Sequence, residues 1–106
     1  MATDWAADVK KYAPQADDAV VSKMVSTYRL VLSKPDTAYV AFNDPSELET
    51  VRTNFLRKKL GLTQPDDELD AAIAAVGAQL KGVNRKSRVT VYYLLAEKLG
   101  KLDVFR

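Results

Sequence analysis

The sequence contains no cysteine and no histidine among its 106 residues. Without cysteine there is no disulfide, no thiolate metal site and no cysteine nucleophile. Without histidine the chain also lacks the commonest general base, the Ser-His-Asp arrangement and the usual ligands of zinc, copper and haem. We therefore predict that the protein is not an enzyme and that it holds no cofactor and no metal.

Long hydrophobic runs and glycine-rich loops are also missing. The longest apolar runs, such as 91–96, are far shorter than the ~20 residues needed to cross a bilayer. The N-terminus, MATDW, has no basic region followed by an apolar stretch, as a signal peptide would. The four glycines are scattered, so no loop is built to cradle phosphate. We expect a cytoplasmic protein that does not associate with membranes.

What remains is the composition of an ordinary soluble domain. Hydrophobic residues make up 47% of the chain and charged residues 28%, a balance typical of globular proteins. The length is enough for one domain and too short for two ordinary ones. We therefore predict that residues 1–106 form a single helical domain.

Apolar residues recur at helical spacing along most of the chain, which indicates an all-α fold of about five helices. The predicted helices cover about 4–12, 18–32, 45–60, 66–81 and 86–99. The clearest start is Asp44-Pro45-Ser46-Glu47, where Asp44 caps, Pro45 fits the first turn and Glu47 can complete a capping box. The first helix starts after a cap at Thr3 or Asp4. On the fourth helix, Gly77 adjoins a flat face of alanines against which another helix could pack closely.

The last predicted helix differs from the others because its apolar residues cover most of its circumference. Val89, Tyr92 and Tyr93 lie on one face, while Val91 and Leu94 extend the apolar surface around the helix. Such a helix is usually buried at the centre of its fold. An alternative makes 88–93 a strand that pairs with 37–42, since valine, threonine and tyrosine favour strands. The helical period continues unbroken to Gly100 and favours the helix.

Charge is unevenly divided between the two halves of the sequence. Residues 1–50 carry a net −3 and residues 51–106 a net +5. Such a dipolar molecule can recognise a second copy of itself or an acidic partner. Four acidic residues, Asp66, Asp67, Glu68 and Asp70, lack the ligand spacing of a calcium loop, and we interpret them as favourable charges at a helix start.

One basic cluster stands where cations are unfavourable. Arg85, Lys86 and Arg88 lie at the start of the last predicted helix, where the helix dipole opposes positive charge. We expect a compensating negative group, which could be an acidic segment such as 66–68, a neighbouring subunit or an anion bound at the backbone N–H groups. Nucleic-acid binding is not expected, since the positive excess is small and no aromatic residues are interleaved with the cluster.

Four stretches of the sequence resemble a known family. They are DWAADVKKYA at 4–13, LRKKLGL at 56–62, RVTVYYLLAE at 88–97 and GKLD at 100–103. Together they resemble the bacterial family of domain of unknown function 2853. The resemblance implies a small, stand-alone, all-helical protein, and it implies no activity and no catalytic residues.

The sequence thus leaves the biological function unknown and favours one class. We predict a non-enzymatic protein-interaction or self-associating domain, with a homo-oligomer or an unidentified protein as partner. The alternative is weak nucleic-acid or anion binding through Arg85, Lys86 and Arg88.

Overall fold

In the computed structural model, which describes residues 4–106, the chain folds into helices joined by short loops. The α-helices are α1 (Trp5–Tyr12), α2 (Asp18–Thr27), α3 (Arg29–Leu32), α4 (Pro35–Ala38), α5 (Pro45–Thr50), α6 (Asp66–Gln79) and α7 (Arg88–Lys98). A π-helix (Val51–Lys59) continues α5, and a 3-10 turn (Leu102–Phe105) follows α7. The all-helical prediction is confirmed for the described residues, which contain no strand. The count of about five fits only the helical elements of eight or more residues.

Short polar side chains fix where the longer helices begin. The carboxylates of Asp4 and Asp17 accept hydrogen bonds from the N–H groups of Ala7 and Ala19, at 3.0 and 2.9 Å. Each bond satisfies an N–H that has no partner within its own helix. Asp4 is therefore the cap of α1, and the other predicted cap, Thr3, lies outside the described residues.

The start of α5 is only partly as predicted. Asp44 caps it by accepting from the Ser46 N–H at 3.0 Å, and Pro45 occupies the first turn. The predicted capping box is wrong, because the Asp44 N–H donates to the carbonyl of Ala41 at 3.1 Å. Glu47 points away from the cap and pairs with Arg88.

Two predicted helices are less regular than their sequences indicate. The segment 18–32 is interrupted at Tyr28, whose backbone leaves the helical region at φ −104° and ψ 19°. The second half of 45–60 winds as a π-helix, with the Leu60 N–H bonded to the Phe55 carbonyl at 2.9 Å. Its buried residues are Val51, Phe55, Leu56 and, just after it, Leu60. They recur at intervals of four and five, which exceeds the 3.6-residue α-helical period and places them together on a more widely wound turn.

The central position predicted for the last helix is confirmed. Residues 88–96 of α7 are all buried, and the helix is surrounded by α1, α2, α4, α6 and the 3-10 turn. The strand alternative is wrong, since the segment is helical throughout. A trace of the pairing survives just before the helix, where Tyr39 and Ser87 form an isolated antiparallel bridge and the Val40 N–H donates to the Lys86 carbonyl at 2.9 Å.

An aromatic cluster fills the core beside α7. The rings of Phe55 and Tyr92 stack at 3.8 Å and 8°, and Tyr28 meets Tyr92 edge-on at 5.1 Å. Phe105, from the C-terminal 3-10 turn, lies 6.3 Å from both Tyr28 and Phe55 and is 1% exposed. The cluster therefore joins four separate elements. Within the part of the chain described, no helix is long and apolar enough to cross a membrane.

Candidate functional site

Arg88, the first residue of α7, is buried, and each nitrogen of its guanidinium is hydrogen-bonded inside the protein. Only 6% of the residue is exposed. Its guanidinium donates to the carbonyls of Thr37 and Tyr39, to the Tyr92 hydroxyl at 3.0 Å, and to the Glu47 carboxylate. These acceptors come from α4, the loop after it, α7 itself and α5. Arg88 is therefore an internal link among these elements.

Glu47 is the negative group that pairs with Arg88 at the start of α7. It reaches Arg88 because Asp44 and Pro45 begin α5 two to three residues earlier and place Glu47 on the inner side of its first turn. The acidic segment considered from the sequence pairs elsewhere. Asp66 binds Arg57 and lies 3.6 Å from the Nε of Arg52, and hydrogen bonding by Arg57 lowers the pKa of the Asp66 carboxyl. These pairs fasten the start of α6 to the π-helix.

Burial changes the titration of the groups around Arg88. Burial alone would lower the pKa of Arg88, but Tyr92 and Glu47 outweigh it and hold that pKa above its ordinary value. Burial also raises the pKa of the Tyr92 hydroxyl, with Arg88 opposing part of the rise. The pKa of the Tyr28 hydroxyl is raised as well, mainly by burial and to a smaller extent by Tyr92. At neutral pH, Arg88 is therefore a cation and both tyrosines are uncharged.

The first turn of α7 is closed to an external anion. Its cap, Ser87, is 2% exposed and accepts from the Thr90 N–H at 3.4 Å. The next residues, Val89 and Thr90, are 0% and 1% exposed. The Thr90 hydroxyl is itself engaged, since it donates to the carboxylate of Asp8 on α1. The backbone N–H groups at this helix start are thus enclosed by the fold, and an anion from solvent does not reach them.

Arg85 and Lys86 lie outside this buried link, on a groove at the protein surface. The Arg85 guanidinium lies over the ring of Tyr39, 5.5 Å from its centre, and the Lys86 ammonium lies 5.8 Å from the centre of the Phe42 ring. Lys86 also donates to the Val83 carbonyl at 2.8 Å. The groove between these side chains has a volume of about 530 Å³. The structure thus separates the three basic residues into one internal cation and two cations that face the groove.

A second surface feature is the outer face of α6. Ala71, Ala74 and Ala78 are exposed on the side of the helix opposite the buried Leu69 and Val76. At Gly77, where close packing by another helix was expected, the nearest neighbour is a single aromatic side chain. The neighbour is the ring of Phe42, which would lie 2.7 Å from a Cβ at Gly77.

Several residues of this region were not recognised from the sequence. Glu47 was assigned to the cap of its own helix, and Asp8, Tyr39 and Phe42 carry no motif. One signal was available: Arg88 and Thr90 are polar residues at the start of a helix expected to be buried, and buried polar groups must find partners. The sequence could therefore predict that such partners exist, but not which residues provide them.

Comparison with known families accounts for nearly the whole chain. A family model described as protein of unknown function DUF2853 matches residues 4–103. The chain belongs to this family. The match extends across every element that builds the buried link and the groove, and it confirms the resemblance seen in the sequence. The DUF2853 description names no activity and no ligand. No curated protein matches the chain.

Proposed function

We propose that this DUF2853 protein acts through protein contacts, as a non-enzymatic domain that associates with a second copy of itself. The observation that carries the proposal is the outer face of α6. Residues 71, 74 and 78 are all alanine and all exposed, and Ala75 beside them is half-buried. Their spacing of three and four places them along one side of the helix.

The shape of this face suits contact between two helices. Alanine side chains project little, so a second helix can approach to the short end of the usual 8–10 Å separation of packed helices. The alanines also have high helix propensity, which keeps the face regular without help from a partner. Burial of such an apolar surface against a partner lowers the free energy and so favours association.

The charges at the two ends of the face are self-complementary. Asp67 lies in the first turn of α6, and Lys81 follows shortly after its last residue. Two copies related by a two-fold axis that runs perpendicular to α6 would place their α6 helices antiparallel, because such an axis reverses the helix direction. The Asp67 end of one copy would then lie beside the Lys81 end of the other. This arrangement supports a second copy as the partner.

A role without catalysis is supported by the residues that are missing and by those that are occupied. The chain has neither histidine nor cysteine. Its buried polar residues, Ser87, Arg88 and Thr90, are all used in contacts that hold α7 in place. The proposal retains the cytoplasmic location expected from the sequence, since a chain without cysteine needs no oxidising compartment.

Sedimentation velocity across a wide concentration range tests the proposal. We expect reversible dimer formation that is weakened at least tenfold by Ala74→Glu, because two like charges would meet near the two-fold axis. The matched control is Ala19→Glu, which adds the same charge at an exposed alanine on α2. Weakening by both substitutions would point to net charge and not to this face, and a native protein that remains monomeric at high micromolar concentration would overturn the proposal.

A charge exchange tests the orientation of the pair. Lys81→Glu alone should weaken the dimer, because it places an acid beside Asp67 of the second copy. The double substitution Asp67→Lys with Lys81→Glu should restore most of the association. Failure of the double variant to recover would contradict the antiparallel arrangement.

A further inference from the structure

The groove beside the start of α7 has the size of a small-molecule site. Its volume of about 530 Å³ falls within the range of roughly 300–1,000 Å³ that such sites occupy. Its walls include Asp36, Tyr39, Phe42, Asn84, Arg85 and Lys86. They come from the start of α4, the loop that follows it and the loop before α7. None of them belongs to α6, so this groove is separate from the proposed self-association face.

The two cations of the groove have N–H donors available to bind a ligand. Within residues 4–106, neither Arg85 nor Lys86 forms an ion pair with a carboxylate. Lys86 uses one of its three N–H donors on the Val83 carbonyl. Arg85 is exposed, with the ring of Tyr39 beneath its guanidinium. By contrast, Arg52 and Arg88 are already paired with acids.

The charge balance of the groove selects the kind of anion. Asp36 lines the same groove, so the formal charge of its walls is +1. A ligand with a single negative charge matches this balance, whereas a phosphate dianion or a nucleic-acid backbone would carry uncompensated charge beside Asp36. A carboxylate is the common organic group with one negative charge at neutral pH, and it accepts two hydrogen bonds from an arginine fork.

The other residues that line the groove favour a particular kind of group for the rest of the ligand. Tyr39 and Phe42 provide ring surface, and Val40 and Pro35 add aliphatic surface. The Asn84 amide can donate or accept one further hydrogen bond. We infer that this groove binds a small organic carboxylate with an aromatic or apolar body, its carboxylate held by Arg85 and Lys86.

Titration of the ¹⁵N-labelled protein with benzoate, followed by amide chemical shifts, tests the inference. We expect saturable shifts concentrated at 35–43 and 84–86. Acetate should bind more weakly because it lacks the ring, and benzamide should not bind because it lacks the charge. Benzoate shifts that do not saturate, or that spread over the whole surface, would overturn the inference. Inorganic phosphate that binds more tightly than benzoate would also overturn it.

Paired variants show whether the two cations do the binding. Arg85→Gln with Lys86→Met should weaken benzoate binding by about tenfold or more, since hydrogen bonds to a charged group are lost. The control, Arg29→Gln with Lys23→Met, removes the same charge at two exposed residues outside the groove and should change affinity less than twofold. Circular dichroism checks that each variant is folded, and Arg85→Gln alone provides a milder change. Unchanged affinity in a folded Arg85→Gln/Lys86→Met variant would contradict the assignment.

A peptide comparison separates the two sources of such a carboxylate. The tripeptide Gly-Gly-Phe ends in a carboxylate next to an aromatic side chain, and its C-terminal amide is the uncharged match. Tighter binding of the free tripeptide than of benzoate would assign the groove to a protein C-terminus. Weaker binding would assign it to a free metabolite. Equal binding of the tripeptide and its amide would overturn the role of the carboxylate.

Discussion

At the scale of single residues, Arg88 is the buried cation that links several elements of the fold through hydrogen bonds. It donates to two backbone carbonyls, a tyrosine and Glu47, and it is the first residue of the central helix. A cation at that position opposes the helix dipole, and the pairing with Glu47 offsets this cost. The arrangement gives Arg88 a structural role and removes it from any surface site.

Replacing Arg88 should therefore destabilise the protein strongly. Arg88→Met keeps the length of the side chain but leaves the Glu47 carboxylate and two carbonyls without their donor. Removal of one partner from a buried pair costs about 3–5 kcal/mol, and we expect a loss of free energy of unfolding near the lower end, because Glu47 is partly exposed. Urea denaturation would measure it, with Arg29→Met, at an exposed arginine, as the near-neutral control. A loss below about 1 kcal/mol, the size typical of exposed pairs, would contradict the structural role.

How far this link could be predicted depends on the range of its contacts. The burial of α7 follows from its apolar residues, and the requirement for a partner to Arg88 follows from that burial. The identity of the partner does not follow, because Glu47 is separated from Arg88 by 41 residues and has an equally reasonable local role as a capping-box acid. Local patterns therefore predicted the helix and the requirement for a partner to Arg88. Long-range packing decided that Glu47 is this partner.

At the scale of elements, the contact between α6 and the loop after α4 depends on Gly77. Glycine inside a helix costs about 1 kcal/mol relative to alanine. Here the missing side chain provides the space that the ring of Phe42 occupies. The same ring lies beneath Lys86, so the glycine also helps to shape the groove.

Gly77→Ala should consequently have opposite effects in two backgrounds. In the native protein, the new Cβ would lie 2.7 Å from the Phe42 ring, and the resulting displacement should outweigh the gain in helix propensity. In a Phe42→Ala background the ring is gone, so Gly77→Ala should stabilise by about 1 kcal/mol. Thermal or urea unfolding of the four proteins in this cycle measures both effects. Stabilisation of similar size in both backgrounds would show that the contact is unimportant.

The π-helix is the element that sequence patterns predicted least well. The segment 45–60 begins at the predicted Asp44 cap and is followed by Gly61, whose φ is 68°. Between them, the buried positions Val51, Phe55, Leu56 and Leu60 do not follow a 3.6-residue period closely. Stacking of Phe55 on Tyr92 requires a contact between distant segments, and no local pattern specifies it.

At the scale of the whole molecule, the end of the chain closes the aromatic cluster. Phe105 packs against Tyr28 and Phe55, and Arg106 lies 3.7 Å from Asp17 at the start of α2. The final turn is thus part of the core. Its role was missed from the sequence because LDVF is too short to show a helical period.

Phe105→Ala should accordingly cost as much as a change in the centre of the fold. Truncation of a buried phenylalanine typically destabilises by about 3–5 kcal/mol. The adjacent Val104 is 38% exposed, so Val104→Ala should cost about 1 kcal/mol or less. Urea denaturation followed by near-ultraviolet circular dichroism would compare the two and report the aromatic cluster directly. Equal costs for both substitutions would contradict a core role for the terminal turn.

Two of the side-chain contacts of α7 also determine whether the protein can be divided into smaller folded pieces. Thr90 needs Asp8, 82 residues away, and Arg88 needs Glu47, 41 residues away. A contiguous piece that contains both pairs must run at least from residue 8 to residue 90. A shorter fragment would carry the apolar surface of α7 together with a buried charge or hydroxyl that has lost its acceptor. The central helix therefore depends on nearly the entire chain, and neither half of the chain alone supplies all of its partners.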